Sequence, residues 1–282
     1  MGPIRLPARP ARRERGRARQ TEAVTARVAR YQSARRDPSR VVIEGFHALK
    51  HALRFGAEVA EAATPDPAAL LALATSLAPD LLPLLPGLLD QVSPEEFAGL
   101  APSPPPTPVV ALAARPVAAP EAMLAAPGPA PVVLLDRPSH LGNLGAVVRV
   151  AAAAGAAGVL VTGDRDPWHP VAVRGSAGLH FALPVARLAG EPPAGFPPPD
   201  RCLIAVHPQG EPLWGIDLPA RAVLAFGGER RGLGEAWLEA AARRVAIPME
   251  PGVSSLNLAT AAAVVLFEAR RRARPAPSRS AR

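Results

Sequence analysis

Asn143 and Arg149 stand six residues apart in a run of glycine, alanine, leucine and valine, so one amide and one guanidinium carry its polarity. An amide can orient a hydroxyl from either side. A guanidinium can clamp an anion, or close a salt bridge to an acid such as Asp136 or Glu229. A second group, Gly227-Gly228-Glu229-Arg230-Arg231-Gly232-Leu233, sets one carboxylate among glycines whose backbone can approach a ligand closely. Glu229 there binds a hydroxyl or a cation, or simply caps the turn. The third group runs from Ile247-Pro248-Met249 to Ser254-Ser255-Leu256-Asn257. Ser254 or Ser255 suits a helix N-cap; alternatively Ser255 and Asn257 face the other two loops.

Each group follows an apolar run that reads as a buried strand: Val132–Asp136, Ala222–Phe226 and Val245–Ile247. Ligands of open α/β sheets sit at the carboxyl ends of strands, so the three loops are expected to share one crevice. Gly142 and Gly145 with Asp164 further on resemble a dinucleotide fingerprint, but the third glycine is missing. A nicotinamide-dependent oxidoreductase would also leave the Ser255-Leu256-Asn257 loop without a role. His47 and His51 share a helix face, yet no third metal ligand is placed near them, so no metal is expected. The sequence holds no nucleophile elbow and no P-loop.

The elements that must position these groups read in two blocks. Thr21–Arg36 forms a helix, Val41–Ile43 a strand, Phe46–Phe55 a helix, Ala57–Thr64 a strand, Pro67–Leu77 a helix and Val109–Ala113 a strand. After Pro131, strands Gly158–Val161 and Cys202–Val206 join the three named above. Helices are expected over Ala146–Ala154, Gly234–Ala242 and Leu256–Arg272, with Ser139–Gly145 left as a loop. Alternating strands and helices imply an α/β fold on a mostly parallel sheet. The divisions are a basic arm and helix (1–40), a small α/β unit (41–114), a proline-rich linker (115–130), the main α/β domain (131–272) and a basic tail (273–282).

The 282 residues favour two domains over one or three. Half the chain is hydrophobic, which supports a packed core. Lys50 is the only lysine, so arginine carries nearly all the positive charge. Charge is uneven: net +9 over 1–40, net +5 over 268–282 and net −6 between. Such arms suit a phosphate backbone; a solvated tail and an organelle transit peptide are the other readings. A single cysteine, Cys202, excludes an intramolecular disulfide and a cysteine-based zinc cage. No apolar run reaches the ~20 residues of a membrane span. No secretory pattern opens the sequence, so a cytoplasmic protein without membrane contact is expected.

Taken together, the three groups resemble the three motifs of the SpoU (TrmH-type) RNA ribose 2′-O-methyltransferases of the SPOUT superfamily. Gly142-Asn143-Leu144-Gly145-Ala146-Val147-Val148-Arg149 matches the first motif, Gly227–Leu233 the G-x-E-x-x-G-L second, and Ile247-Pro248-Met249 through Ser255-Leu256-Asn257 the third. Asp166-Pro167 and Val171–Gly178 fit the stretch between. Val42-Ile43-Glu44-Gly45 more loosely resembles the start of the family's ribosomal-protein-like RNA-binding domain. His140-Leu141 and Val150 depart from the common pattern. The resemblance implies a C-terminal trefoil knot, bound S-adenosylmethionine and a homodimer with its site near the interface. It implies a cofactor pocket lined by Gly227, Ile247, Met249 and Leu256, and a catalytic cluster of Asn143, Arg149, Glu229, Ser255 and Asn257. The expected substrate is ribosomal or transfer RNA. A non-catalytic RNA-binding or ribosome-assembly protein on the same fold is the alternative. Deleting residues 1–36 is expected to weaken RNA binding and flatten its salt dependence.

Overall fold

A computed structural model describes residues 12–273; residues 1–11 of the basic arm and 274–282 of the tail lie outside the described residues. Two sheets organise the chain. The first joins β1 (Arg40–Glu44), β4 (Val110–Ala114), β2 (Val59–Thr64) and β3 (Leu89–Gln91) in that spatial order. β4 is antiparallel to both neighbours, and β3 is parallel to β2. The second is wholly parallel, ordered β10 (Arg243–Ala246), β8 (Leu203–Pro212), β9 (Val223–Gly227), β5 (Val132–Asp136), β6 (Gly158–Val161), β7 (Val185–Arg187).

Period-two alternation divides the side chains of the parallel sheet between two cores. Val133, Leu135, Val159 and Leu224 face α6 (Leu141–Ala154), α7 (Pro170–Gly175) and α9 (Leu258–Ala273). Val132, Leu134, Leu160 and Val223 face α5 (Pro120–Ala125) and α8 (Glu235–Ala240), where Trp237 and Met123 are buried. The first core does not stop at the parallel sheet. It continues through α2 (Phe46–Arg54) and α3 (Pro67–Leu77) to Val41, Ile43 and Ala111 of the small sheet. The opposite face of the small sheet is covered by α1 (Arg12–Ala34) and α4 (Pro94–Leu100), through Tyr31, Phe97 and Leu100.

Polar contacts stitch the two units where they meet. Glu44 at the end of β1 is buried, and it takes Arg35 at 2.7 Å on one oxygen and Arg174 of α7 at 2.9 Å on the other. Burial of a carboxylate on this scale requires such paired donors. His51 donates from Nδ1 to the Ala177 carbonyl at 2.6 Å, a contact that engages one of the two α2 histidines. Gly178 lies so near Ala48 that a Cβ would come within 2.2 Å of its carbonyl oxygen.

Several elements differ from the sequence reading. α1 begins at Arg12, inside the basic arm, and two of its arginines serve the fold. Arg27 pairs with Asp90 and Glu96, and Arg30 with Glu61. Tyr31 is fully buried and donates to the Val110 carbonyl, so removing residues 1–36 would strip core from the small sheet as well as charge. β3 and α4 arise in a region left unassigned. The linker is partly helical: α5 buries Met123 and Leu124, and Arg201 and Arg221 hold the carbonyls of Leu124, Ala126, Gly128 and Ala130. α6 starts at Leu141, so the loop expected over Ser139–Gly145 is mostly helix. Among the described residues, no helix is long and apolar enough to cross a membrane.

Candidate active site

β5 and β9 are neighbours in the sheet, but the chain after β5 crosses to β6 on the other side. The loops that leave β5 and β9 therefore diverge at a crevice, the usual ligand position in such sheets. Asp136 closes the floor. Its wholly buried carboxylate accepts from Thr162 Oγ1 at 2.7 Å, the Gly234 amide at 2.9 Å and the Arg137 guanidinium at 2.9 Å. Its backbone carbonyl accepts from the Gly228 amide at 2.8 Å. One acid thus binds the loop after β5 to the loop after β9. Sequence reasoning considered Asp136 only as a partner for Arg149; the structure gives it Arg137 instead.

The glycines of the second group are explained by close approach. A Cβ on Gly227 would lie 2.1 Å from the Gly232 carbonyl carbon, and one on Gly228 would lie 2.3 Å from the Arg137 oxygen. The loop folds back on itself, with Gly232 N bonded to Gly228 O at 3.0 Å, and this lifts Glu229 out at its tip. Glu229 accepts from the backbone and hydroxyl of Ser139 at 2.9 and 2.7 Å, and from Asn143 Nδ2 at 2.7 Å. Partial burial pushes its pKa up, but the Asn143 and Ser139 hydrogen bonds outweigh that and bring it down to about 2. Glu229 is therefore a fixed anion at neutral pH.

Asn143, in the first turn of α6, uses its other end as well: Oδ1 accepts from Asn257 Nδ2 at 3.1 Å. Asn257 precedes α9, and its Oδ1 accepts from the Ala259 amide at 2.9 Å. The N-cap of α9 is thus Asn257, and neither Ser254 nor Ser255 takes that place. Ser139, Glu229, Asn143 and Asn257 form one hydrogen-bonded string across all three loops.

Beside the string is a cavity of 420 Å³, within the range of small-molecule sites. Gly227, Ile247, Met249 and Leu256 line it, and Ser255, Asn257 and Glu229 supply its polar edge. Phe226 and Leu258 extend the apolar wall. Sequence reading missed His207 and Pro208, which line the cavity from the middle of β8. The signal for them was slight, because β8 was read as ending at Val206, whereas it continues to Pro212.

Arg149 does not join the string. It is exposed on α6, and its side chain makes no hydrogen bond or ion pair among the described residues. Its charge reaches Lys50, whose pKa is lowered by burial first, then by Arg54 and Arg149. Ser255 is exposed at the cavity rim, also without a hydrogen bond among the described residues. No group of three or more metal-ligating side chains occurs among the described residues.

Comparison with known proteins points one way. A sequence profile of the SpoU rRNA methylase family matches residues 130–267. The 23S rRNA (uridine(2479)-2′-O)-methyltransferase of Streptomyces viridochromogenes is 37% identical over 149 residues, covering 49% of this chain and 51% of that protein. The crystal structure of an RNA 2′-O ribose methyltransferase is 31% identical with a TM-score of 0.64, covering 88% of this chain and 95% of that one. The structure of a SpoU methyltransferase from Streptomyces viridochromogenes in complex with AdoMet is 26% identical with a TM-score of 0.72, covering 88% and 97%. The chain spans about half the length of the curated relatives it matches.

Proposed function

Because the chain belongs to the SpoU rRNA methylase family, we propose that it transfers a methyl group from S-adenosylmethionine to a ribose 2′-hydroxyl of RNA. The observation that carries this reading is the string Ser139–Glu229–Asn143–Asn257 at the edge of an apolar, glycine-walled cavity. The cavity suits the cofactor: Phe226, Ile247 and Leu256 give apolar walls for a flat heterocycle, and Glu229, Ser255 and Asn257 give a polar edge.

When bound, S-adenosylmethionine supplies an already activated methyl group. The protein's work is then alignment and exclusion of water. Ile247, Met249 and Leu256 would hold the cofactor with Gly227, partly through backbone groups. Glu229, ionised at any physiological pH, fixes Asn143, and Asn143 in turn fixes Asn257, so the polar edge facing the ribose is preset. Ser255 is free to bond substrate. Arg149 remains charged and would stabilise the oxygen as its proton leaves, while gripping a neighbouring phosphate.

The finer features implied by the family belong to the same proposal. They are a trefoil knot around the cofactor, a homodimer with its site near the interface, and RNA binding by the small α/β unit in a cytoplasmic protein. Ribosomal RNA is the favoured substrate over transfer RNA, supported by the name of the Streptomyces viridochromogenes relative. The test is tritiated methyl transfer from S-adenosylmethionine into total unmodified RNA, followed by mapping of the 2′-O-methylated nucleotide. Label confined to one nucleotide of one RNA is expected. Cofactor binding without label in any RNA, ribosomal precursors included, would overturn the reading.

A further inference from the structure

Behind Ser139 lies a second cavity of 360 Å³, and the proposed function gives it no role. It opens at the carboxyl ends of β5 and β6. Four arginines line it: Arg137, Arg165, Arg230 and Arg231, with Ser139 and Asp164 between them. Arg137 is neutralised by Asp136 at 2.9 Å. Arg165, Arg230 and Arg231 are exposed and make no hydrogen bond or ion pair among the described residues. The cleft thus concentrates three uncompensated guanidinium groups against one acid, an arrangement that repels itself until an anion enters. Guanidinium forks match phosphate oxygens in pairs.

The position of the cleft says which phosphate. Its Ser139 wall is the residue that binds Glu229 through both hydroxyl and amide, and Glu229 lines the cofactor cavity on its other side. Gly232 lines both cavities. In RNA the 2′-hydroxyl and the 3′-phosphate sit on adjacent ribose carbons. A ribose presented to the string therefore carries a phosphate within reach of this wall. We propose that the cleft of Arg165, Arg230 and Arg231 binds the phosphodiester backbone of the RNA strand next to the methylated nucleotide. This rests on the functional reading above and adds a substrate-positioning subsite to it.

The test uses the full chain and a short fluorescein-labelled single-stranded RNA of mixed sequence, titrated across a potassium chloride series. Each phosphate contact to a single strand contributes about 0.7 to the slope of log affinity against log salt, so losing three should reduce it by about 2. The variant combining Arg165→Ala, Arg230→Ala and Arg231→Ala is expected to show that loss. The matching lysine variant should keep the slope, since lysine keeps the charge. Thermal melting should leave both near wild type, because these side chains are exposed. An unchanged slope in the alanine variant overturns the proposal. So does saturable binding of inorganic phosphate that displaces the RNA beyond the effect of equal ionic strength, since that marks a small-anion site. Methyl transfer is scored separately on the wild type. A flattened slope with no methylation of any RNA would leave the cleft standing and defeat the function. Methylation with an unchanged slope would do the reverse.

Discussion

Arg149 and Glu229 illustrate two ways a charged side chain can serve a site. Glu229 is held by three donors and has no freedom to act beyond orienting its neighbours. Arg149 is exposed and held by nothing within the described chain. Substituting Arg149→Ala should therefore leave thermal stability within about 0.5 kcal/mol of wild type. Methyl transfer should be lost, with cofactor affinity by calorimetry nearly unchanged. A matching loss of cofactor affinity would make Arg149 part of that pocket. His180 offers a different readout. It is fully buried beside Trp168, and its ring lies between Ser176 Oγ at 2.7 Å and the Pro167 carbonyl at 2.8 Å. The carbonyl can only accept, so Nε2 carries the proton. Burial lowers its pKa to about 4 from an ordinary 6.5. The unfolded chain thus binds a proton that the folded chain refuses between those values. The His180 contribution is fully present above about pH 6.5 and is lost as pH falls toward 4, by roughly 3 kcal/mol in all. Urea denaturation across that range should show a shallower pH dependence in His180→Gln than in wild type.

Among the elements, α9 depends most directly on a site residue. Asn257 caps it and also donates to Asn143. Two substitutions separate these duties. Asn257→Asp keeps an acceptor for the Ala259 amide but sets a carboxylate against Asn143 Oδ1. Asn257→Ala loses both contacts. The alanine variant should lose about 1 kcal/mol in denaturation, while the aspartate variant stays closer to wild type in stability. Both should lose methyl transfer, and an active aspartate variant would reduce Asn257 to a cap. The same elements show how far the sequence could be read. Pro67–Leu77 and Val132–Asp136 were legible to the residue, because proline, turn signals and apolar runs all agreed there. The start of α6 was not. Gly142 and Gly145 argue for a loop on local grounds, yet a Cβ on Gly145 would lie 2.1 Å from the Ala172 carbonyl of α7, so that glycine serves helix packing. β3 was missed because three residues, two of them exposed, carry no periodicity. The meeting of the three loops was legible from motif spacing. The Asp136–Arg137 clamp was not, since it depends on a left-handed backbone at Arg137, φ 50°, that turns the side chain back.

The whole molecule is joined more firmly than its two sheets suggest. One hydrophobic core runs from the small sheet to the parallel sheet, and Glu44 sits buried at the seam with Arg35 and Arg174. Removing one partner of a buried ionic group leaves the others uncompensated. Glu44→Ala should therefore cost about 3 kcal/mol in urea denaturation, and unfolding should still follow a single transition because the core is shared. Two separate transitions would show that the units are independent. The seam also explains why Val42-Ile43-Glu44-Gly45 and Val173-Arg174-Gly175-Ser176 both stood out as motifs without carrying chemistry: they face each other.

The bonds around Asn143 all point the same way. The Ala259 amide donates to Asn257, Asn257 donates to Asn143, and Asn143 donates to Glu229. Dipoles aligned head to tail reinforce one another, and this row begins at the positive end of a helix and finishes on a negative charge. It has a polarity, like a row of magnets. Neither amide can flip without breaking a contact at both of its ends, so a disturbance at either terminus of the row is felt at the other.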